Sequence, residues 1–192
     1  MININKLKYL LNNFDMDVDE FIYDVLPDSK LSSKYSAVEI AIIINCYILV
    51  SCKLNENLPY SNIKEFFKFN AFTNREYGAF RRQLKNDINY QCFKNFTLNM
   101  ESFKLLLNFI EYNIKLLVDN VLNDSETDPH YSAVAATNRI KCYVQIMSEL
   151  GEPIPYNNVR EFFEFHSYSF EEYNKFEESR QIESQYYRGI QY

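Results

Sequence analysis

Apolar residues recur along this chain at helical spacing rather than in alternation. Leu7, Leu10, Leu11 and Phe14 fall at i, i+3, i+4 and i+7, which predicts a helix over residues 3–14. Asp17 reads as the N-cap of a second helix, Val18 to Leu26, with acidic side chains in its first turn where the helix dipole favours them. A long helix follows over residues 36–54, and its Ala37, Val38, Ile44, Tyr47 and Ile48 form the stripe expected to face a core. Pro59-Tyr60, with Ser61 or Asn62 as cap, opens a helix that turns Ile63, Phe66 and Phe67 inward. Thr73-Asn74-Arg75-Glu76 has the S/T-x-x-E form of a capping box and starts another, with Tyr77 and Phe80 buried. No apolar–polar alternation is long enough for a strand, and the three glycines leave few sites for tight hairpins. The pattern is all-α.

The same series is written twice. Tyr35 to Lys85 returns without a gap as Tyr131 to Gln181, an offset of 96, and Tyr-Ser-Ala-Val, Cys-Tyr and Glu-Phe-Phe-x-Phe recur letter for letter. The fold expected is two tandem copies of a four- to five-helix module, an internal duplication that divides the chain into residues 1–96 and 97–192. Phe103, Leu106, Leu107 and Ile110 answer the first helix, and the pattern then runs on from Ile114 to Leu122 without a break. One longer helix is expected there. Pro27-Asp28-Ser29 and Asn123-Asp124-Ser125 read as matching loops, and Ser169 with Glu172 repeats the capping box.

Where the copies differ, the differences are chemical. Ile42, Ile43 and Leu49 of the long helix become Asn138, Arg139 and Gln145. A second face, apolar in one copy and wettable in the other, marks these three aliphatic residues as a docking patch, covered by the other copy or by a partner. The net charge of −6 is also unevenly shared: twelve Lys/Arg against eleven Asp/Glu in residues 1–96, eight against fifteen in residues 97–192. Within residues 60–96 the balance is seven basic to three acidic; within 156–192 it is four to seven. Arg75, Arg81, Arg82 and Lys85 gather on the last helix of the first copy, and Glu171, Glu172, Glu177 and Glu178 on that of the second. These eight are the candidate partner-binding residues.

Catalytic chemistry finds little footing. No HExxH, phosphate-cradling glycine loop or dinucleotide fingerprint occurs, so no catalytic residue, cofactor site or metal site is assigned. His130 and His166 read as loop or surface histidines, and the four cysteines, without CxxC spacing, as buried free thiols. Asp15, Asp17, Asp19 and Glu20 lack the glycine and distal glutamate of a calcium loop. The start of the chain is not a signal peptide, and the longest apolar stretch, Ala37 to Val50, is too short and interrupted to span a bilayer. No membrane partner is expected, and the location expected is cytoplasmic.

Two functions from different classes fit. The first is a non-enzymatic helical interaction protein that binds a macromolecular partner through its charged surfaces, by analogy with small acidic helical proteins that inhibit or neutralise another protein. A protein is the partner expected, with a homodimer as one form of it. The alternative is a nucleic-acid-binding regulator. A helix near Pro59, a turn around Asn70 and a capped helix from Thr73 have the layout of a helix-turn-helix, and the second helix of the first copy is basic. The acidic second copy disfavours two tandem DNA-reading modules.

Overall fold

A computed structural model of the chain describes residues 2–26, 34–123 and 132–189. Among them every regular element is helical: α1 Ile4–Leu11, α2 Phe14–Val25, α3 Ala37–Lys53, α4 Ile63–Phe69, α5 Asn74–Asn86, α6 Tyr90–Lys94, α7 Met100–Asn123, α8 Ala133–Leu150, α9 Val159–Phe165 and α10 Phe170–Gly189. The loop residues Pro27-Asp28-Ser29, Asp124-Ser125 and His130 lie outside the described residues.

The side chains explain these limits. Ser36 and Thr73 start α3 and α5 with reciprocal capping boxes, their partners being Glu39 and Glu76. Asn62 and Asn158 cap α4 and α9 through the amides of Glu65 and Glu161. Both short helices end in a left-handed residue without glycine, Ala71 (φ 60°) and Ser167 (φ 64°). There the amides of Phe72 and Tyr168 reach back to the carbonyls of Phe67 and Phe163 at 2.9 and 3.0 Å, closing the turn in the Schellman manner. The start of α2 differs from the sequence reading. It begins at Phe14 behind Asn13, which makes no side-chain cap, so Asp17 sits inside the first turn rather than before it. The pair Asn12-Asn13 separates α1 from α2, whereas Asn108-Phe109 lets α7 run through as one helix.

The chain forms two compact units, residues 11–109 and residues 2–10 with 110–192. In the first, α3 is central and packs on α2, α4, α5 and α6. Phe14 stacks on Tyr47 with ring centres 3.9 Å apart, and Phe109 closes against Phe14, Phe21 and Tyr35. Fully buried Phe67 meets Phe72, Tyr77 and Phe80 at 5.0, 5.2 and 4.8 Å. In the second unit, α8 packs on α9 and α10, and fully buried Phe163 meets Tyr168, Tyr173 and Phe176 at 4.9, 5.3 and 4.9 Å. Phe66 and Phe162, both without solvent exposure, stand edge-on to Tyr60 and Tyr156.

These units are a partition by packing and differ from the sequence division at residue 96. Residues 4–10 of α1 belong with the C-terminal unit, while their counterparts at the offset of 96, in the first half of α7, belong with the N-terminal one.

Candidate functional site

A concavity lies in the N-terminal unit, where α5 gives way to α6. Three polar residues that favour turns over helix interiors, Asn86, Asp87 and Asn89, cause the break. Asp87 is extended (φ −69°, ψ 135°), and its carboxylate accepts from the Asn89 amide at 2.8 Å, an Asx turn that replaces the next helical bond. The chain folds back, and α6 packs on α3 and α5.

A cavity of about 340 Å³ opens between them, the lower end of the range for ligand sites. Half-buried Tyr77, Tyr90 and Phe93 wall it over buried Leu84, and exposed Arg81 and Lys85, one helical turn apart, stand at its mouth. The Arg81 guanidinium lies 5.9 Å from the Tyr77 ring centre, and Lys94 Nζ 5.3 Å from that of Tyr90. These cation–π contacts leave the guanidinium's N–H donors available. Neither Arg81 nor Lys85 has a carboxylate partner among the described residues. Arg75 and Arg82 are also exposed and form a second basic stripe at i, i+7 beside the first.

At the offset of 96 the C-terminal unit carries the opposite charge. Glu171, Glu177 and Glu178 stand where Arg75, Arg81 and Arg82 stand in the first, and Gln181 replaces Lys85. There Ile182-Glu183-Ser184-Gln185 replaces the turn-forming residues, and α10 continues to Gly189. Glu171 and Glu178 are exposed along one stripe, at i, i+7. The other two acids are engaged: Glu172 closes the capping box with Ser169, and Glu177 pairs with Arg180 at 2.5 Å. Phe170, in the first turn of α10 and next to Glu171, is 68% exposed.

The three aliphatic residues expected to form a docking patch are not equally placed. Ile43 is fully buried, Ile42 half-buried and Leu49 40% exposed, so only Ile42 and Leu49 share an accessible side of α3. Of their counterparts, Asn138 is exposed and Gln145 half-buried. Arg139 is 7% exposed and so lies on no wettable face.

A second polar cluster went unread in the sequence. In the C-terminal unit Glu111 accepts from the hydroxyls of Tyr156 at 2.7 Å and Tyr143 at 3.2 Å. His166 Nε2 lies 3.4 Å from the same carboxylate, at ion-pair distance without the alignment of a hydrogen bond. His166 is therefore not a surface histidine; it is wedged beside Phe162 and Tyr156. Burial alone would raise the Glu111 carboxyl, but His166 and the two tyrosines outweigh it and hold the group below the usual glutamate range. At the matching place in the N-terminal unit, Tyr60 donates to Asp15 and Asn70 stands where His166 does. Burial dominates there and raises the Asp15 carboxyl. The aligned positions of Asp15 and Glu111 could have revealed the pair, but no motif connects either with a distant tyrosine.

Cys46 is buried, with its thiol pushed up to about 12 by burial, Cys142 is half-buried and Cys52 is exposed. Among the described residues no group of three or more His, Cys, Asp or Glu side chains could hold a metal ion, and no helix is long and apolar enough to cross a membrane. No family model, curated protein or solved structure matches this chain.

Proposed function

We propose that this chain is a non-enzymatic interaction protein: two copies of one helical module, alike inside, that grip a macromolecular partner through outer helices of opposite charge. One observation carries the reading. Arg75, Arg81 and Arg82 of α5 become Glu171, Glu177 and Glu178 at matching positions of α10, while the ring set around Phe67 recurs around Phe163. A merely solvated surface has no need of a cavity walled by aromatic rings behind its cations, and α5 has one. The partner is a protein presenting acidic groups to α5 and basic groups to α10.

Binding of an oligo-glutamate and an oligo-lysine peptide to the whole chain tests this. Arg81→Glu with Lys85→Glu should abolish the oligo-glutamate signal, and Glu171→Lys with Glu178→Lys the oligo-lysine signal, both weakening as salt rises. Absence of both signals at low salt contradicts the reading.

One observation favours a nucleic-acid reading as the second choice. The segment from α4 through its left-handed turn to α5 has helix-turn-helix order, with Arg75 and Arg82 exposed on its second helix. It requires salt-sensitive binding to duplex DNA that falls with Arg82→Glu, and DNA binding without peptide binding would select it.

A further inference from the structure

We infer that the cavity between α5 and α6 receives the start of α10 from a second copy of this chain, with Phe170 as the anchor ring. The inference rests on the reading above, that these charged helices face a protein, and names that protein. The cavity asks for an aromatic side chain with carboxylates beside it, because its walls are rings and its mouth is Arg81 and Lys85. The chain carries such a segment. Phe170 is 68% exposed, Glu171 adjoins it, and Glu178 extends the acidic stripe two turns along the helix. Arg81 and Lys85 are exposed and have no carboxylate partner among the described residues.

The two halves of the contact come from positions that differ at the offset of 96: Asp87, where α5 ends, answers to Glu183, and Asn74 to Phe170. Such a contact joins unlike surfaces. Two of them about a two-fold axis close a dimer, and without that axis they extend a chain of copies.

Sedimentation of the whole chain tests it across ~10–300 µM protein, the range in which an interface of one anchor ring and a few charge pairs should associate. At ~25 mM salt the average mass should climb to two copies or more, returning to one at ~500 mM, where screening is short-ranged. Phe170→Ser, at an exposed position, should abolish association. Arg81→Glu should weaken it at least tenfold, and adding Glu171→Arg should recover most of that loss. Circular dichroism of each variant checks that it is folded. A single-copy mass throughout, or association unaffected by Phe170→Ser and Arg81→Glu, overturns the inference. If the chain stays single but binds oligo-glutamate in an Arg81-dependent way, the second copy is excluded while the broader reading stands. If it stays single and binds neither oligo-glutamate nor oligo-lysine at low salt, both fall.

Discussion

Glu183 of α10 caps α8 at Ser132. Its Oε2 accepts from the Ser132 hydroxyl at 2.5 Å and the Val134 amide at 3.0 Å, and its Oε1 from the Ala133 amide at 3.0 Å. In the N-terminal unit this task is local, because Glu39 closes the box with Ser36, whereas Ala135 at the matching position of α8 offers no carboxylate. The residue matching Glu183 is Asp87, which makes the Asx turn that ends α5. Glu183→Ala should cost about 1–2 kcal/mol, the worth of a helix cap, read as a lower urea midpoint and faster amide exchange at residues 133–136. Ala135→Glu on that background should restore most of the loss by rebuilding the local box.

The two half-buried carboxylates, Glu111 and Asp15, predict opposite responses to acid. Glu111 is held below its unfolded value of about 4.3, so its contribution is present above that pH and lost as the pH falls through the lowered folded value. Asp15 is raised above its unfolded value of about 3.9, so its contribution is present below that pH and lost as the pH rises through the folded value. Amide exchange followed from pH 6 to 4 should show Glu111→Gln losing less protection on acidification than the parent in the C-terminal unit. In the N-terminal unit, Asp15→Asn should remove the gain on acidification seen in the parent.

Two backbone positions give stabilising changes. Ala71 holds φ 60° where glycine carries no steric penalty, so Ala71→Gly should raise stability by about 0.5 kcal/mol despite the greater freedom of the unfolded chain. Gly78 lies within α5, and a Cβ there would meet nothing closer than Arg82 Nη1 at 3.7 Å. Gly78→Ala should therefore gain about 0.5–1 kcal/mol. Thermal unfolding measures both.

Thiol reactivity should follow burial. Cys46, with its thiol pushed up to about 12 by burial against the smaller opposing effect of a hydrogen bond with Ser102, should resist alkylation at pH 8 until the protein unfolds. Exposed Cys52 should react first, as read by peptide mass mapping.

The helical class and several starts were legible because local chemistry dictates them. The Thr73 and Ser169 boxes each depend on residues within one turn, as do the caps of α4 and α9, where Ser61 or Asn62 is expected and the structure selects Asn62, with Asn158 in α9. The aromatic core positions Phe66, Phe67, Phe80 and Phe176 followed from spacing for the same reason. The cations of α5 were visible, but the cavity behind them was not, because it needs α6 folded back by an Asx turn between Asp87 and Asn89. Long-range partners escaped entirely. Nothing near Glu183 announces Ser132, fifty-one positions away, and nothing near Glu111 announces Tyr156. Arg139 looked wettable because a sequence pattern cannot see the tertiary packing that leaves it 7% exposed.

The proposed binding site depends on the helix break between α5 and α6. Replacing the break with the residues found 96 positions later (Asn86→Ile, Asp87→Glu, Ile88→Ser and Asn89→Gln) should fuse α5 with α6 and remove the cavity while keeping all four cations. Titration of this variant with the oligo-glutamate peptide, beside circular dichroism, is the most direct measurement. Higher helicity with at least a tenfold loss of binding is the result expected; higher helicity with unchanged binding would contradict the account.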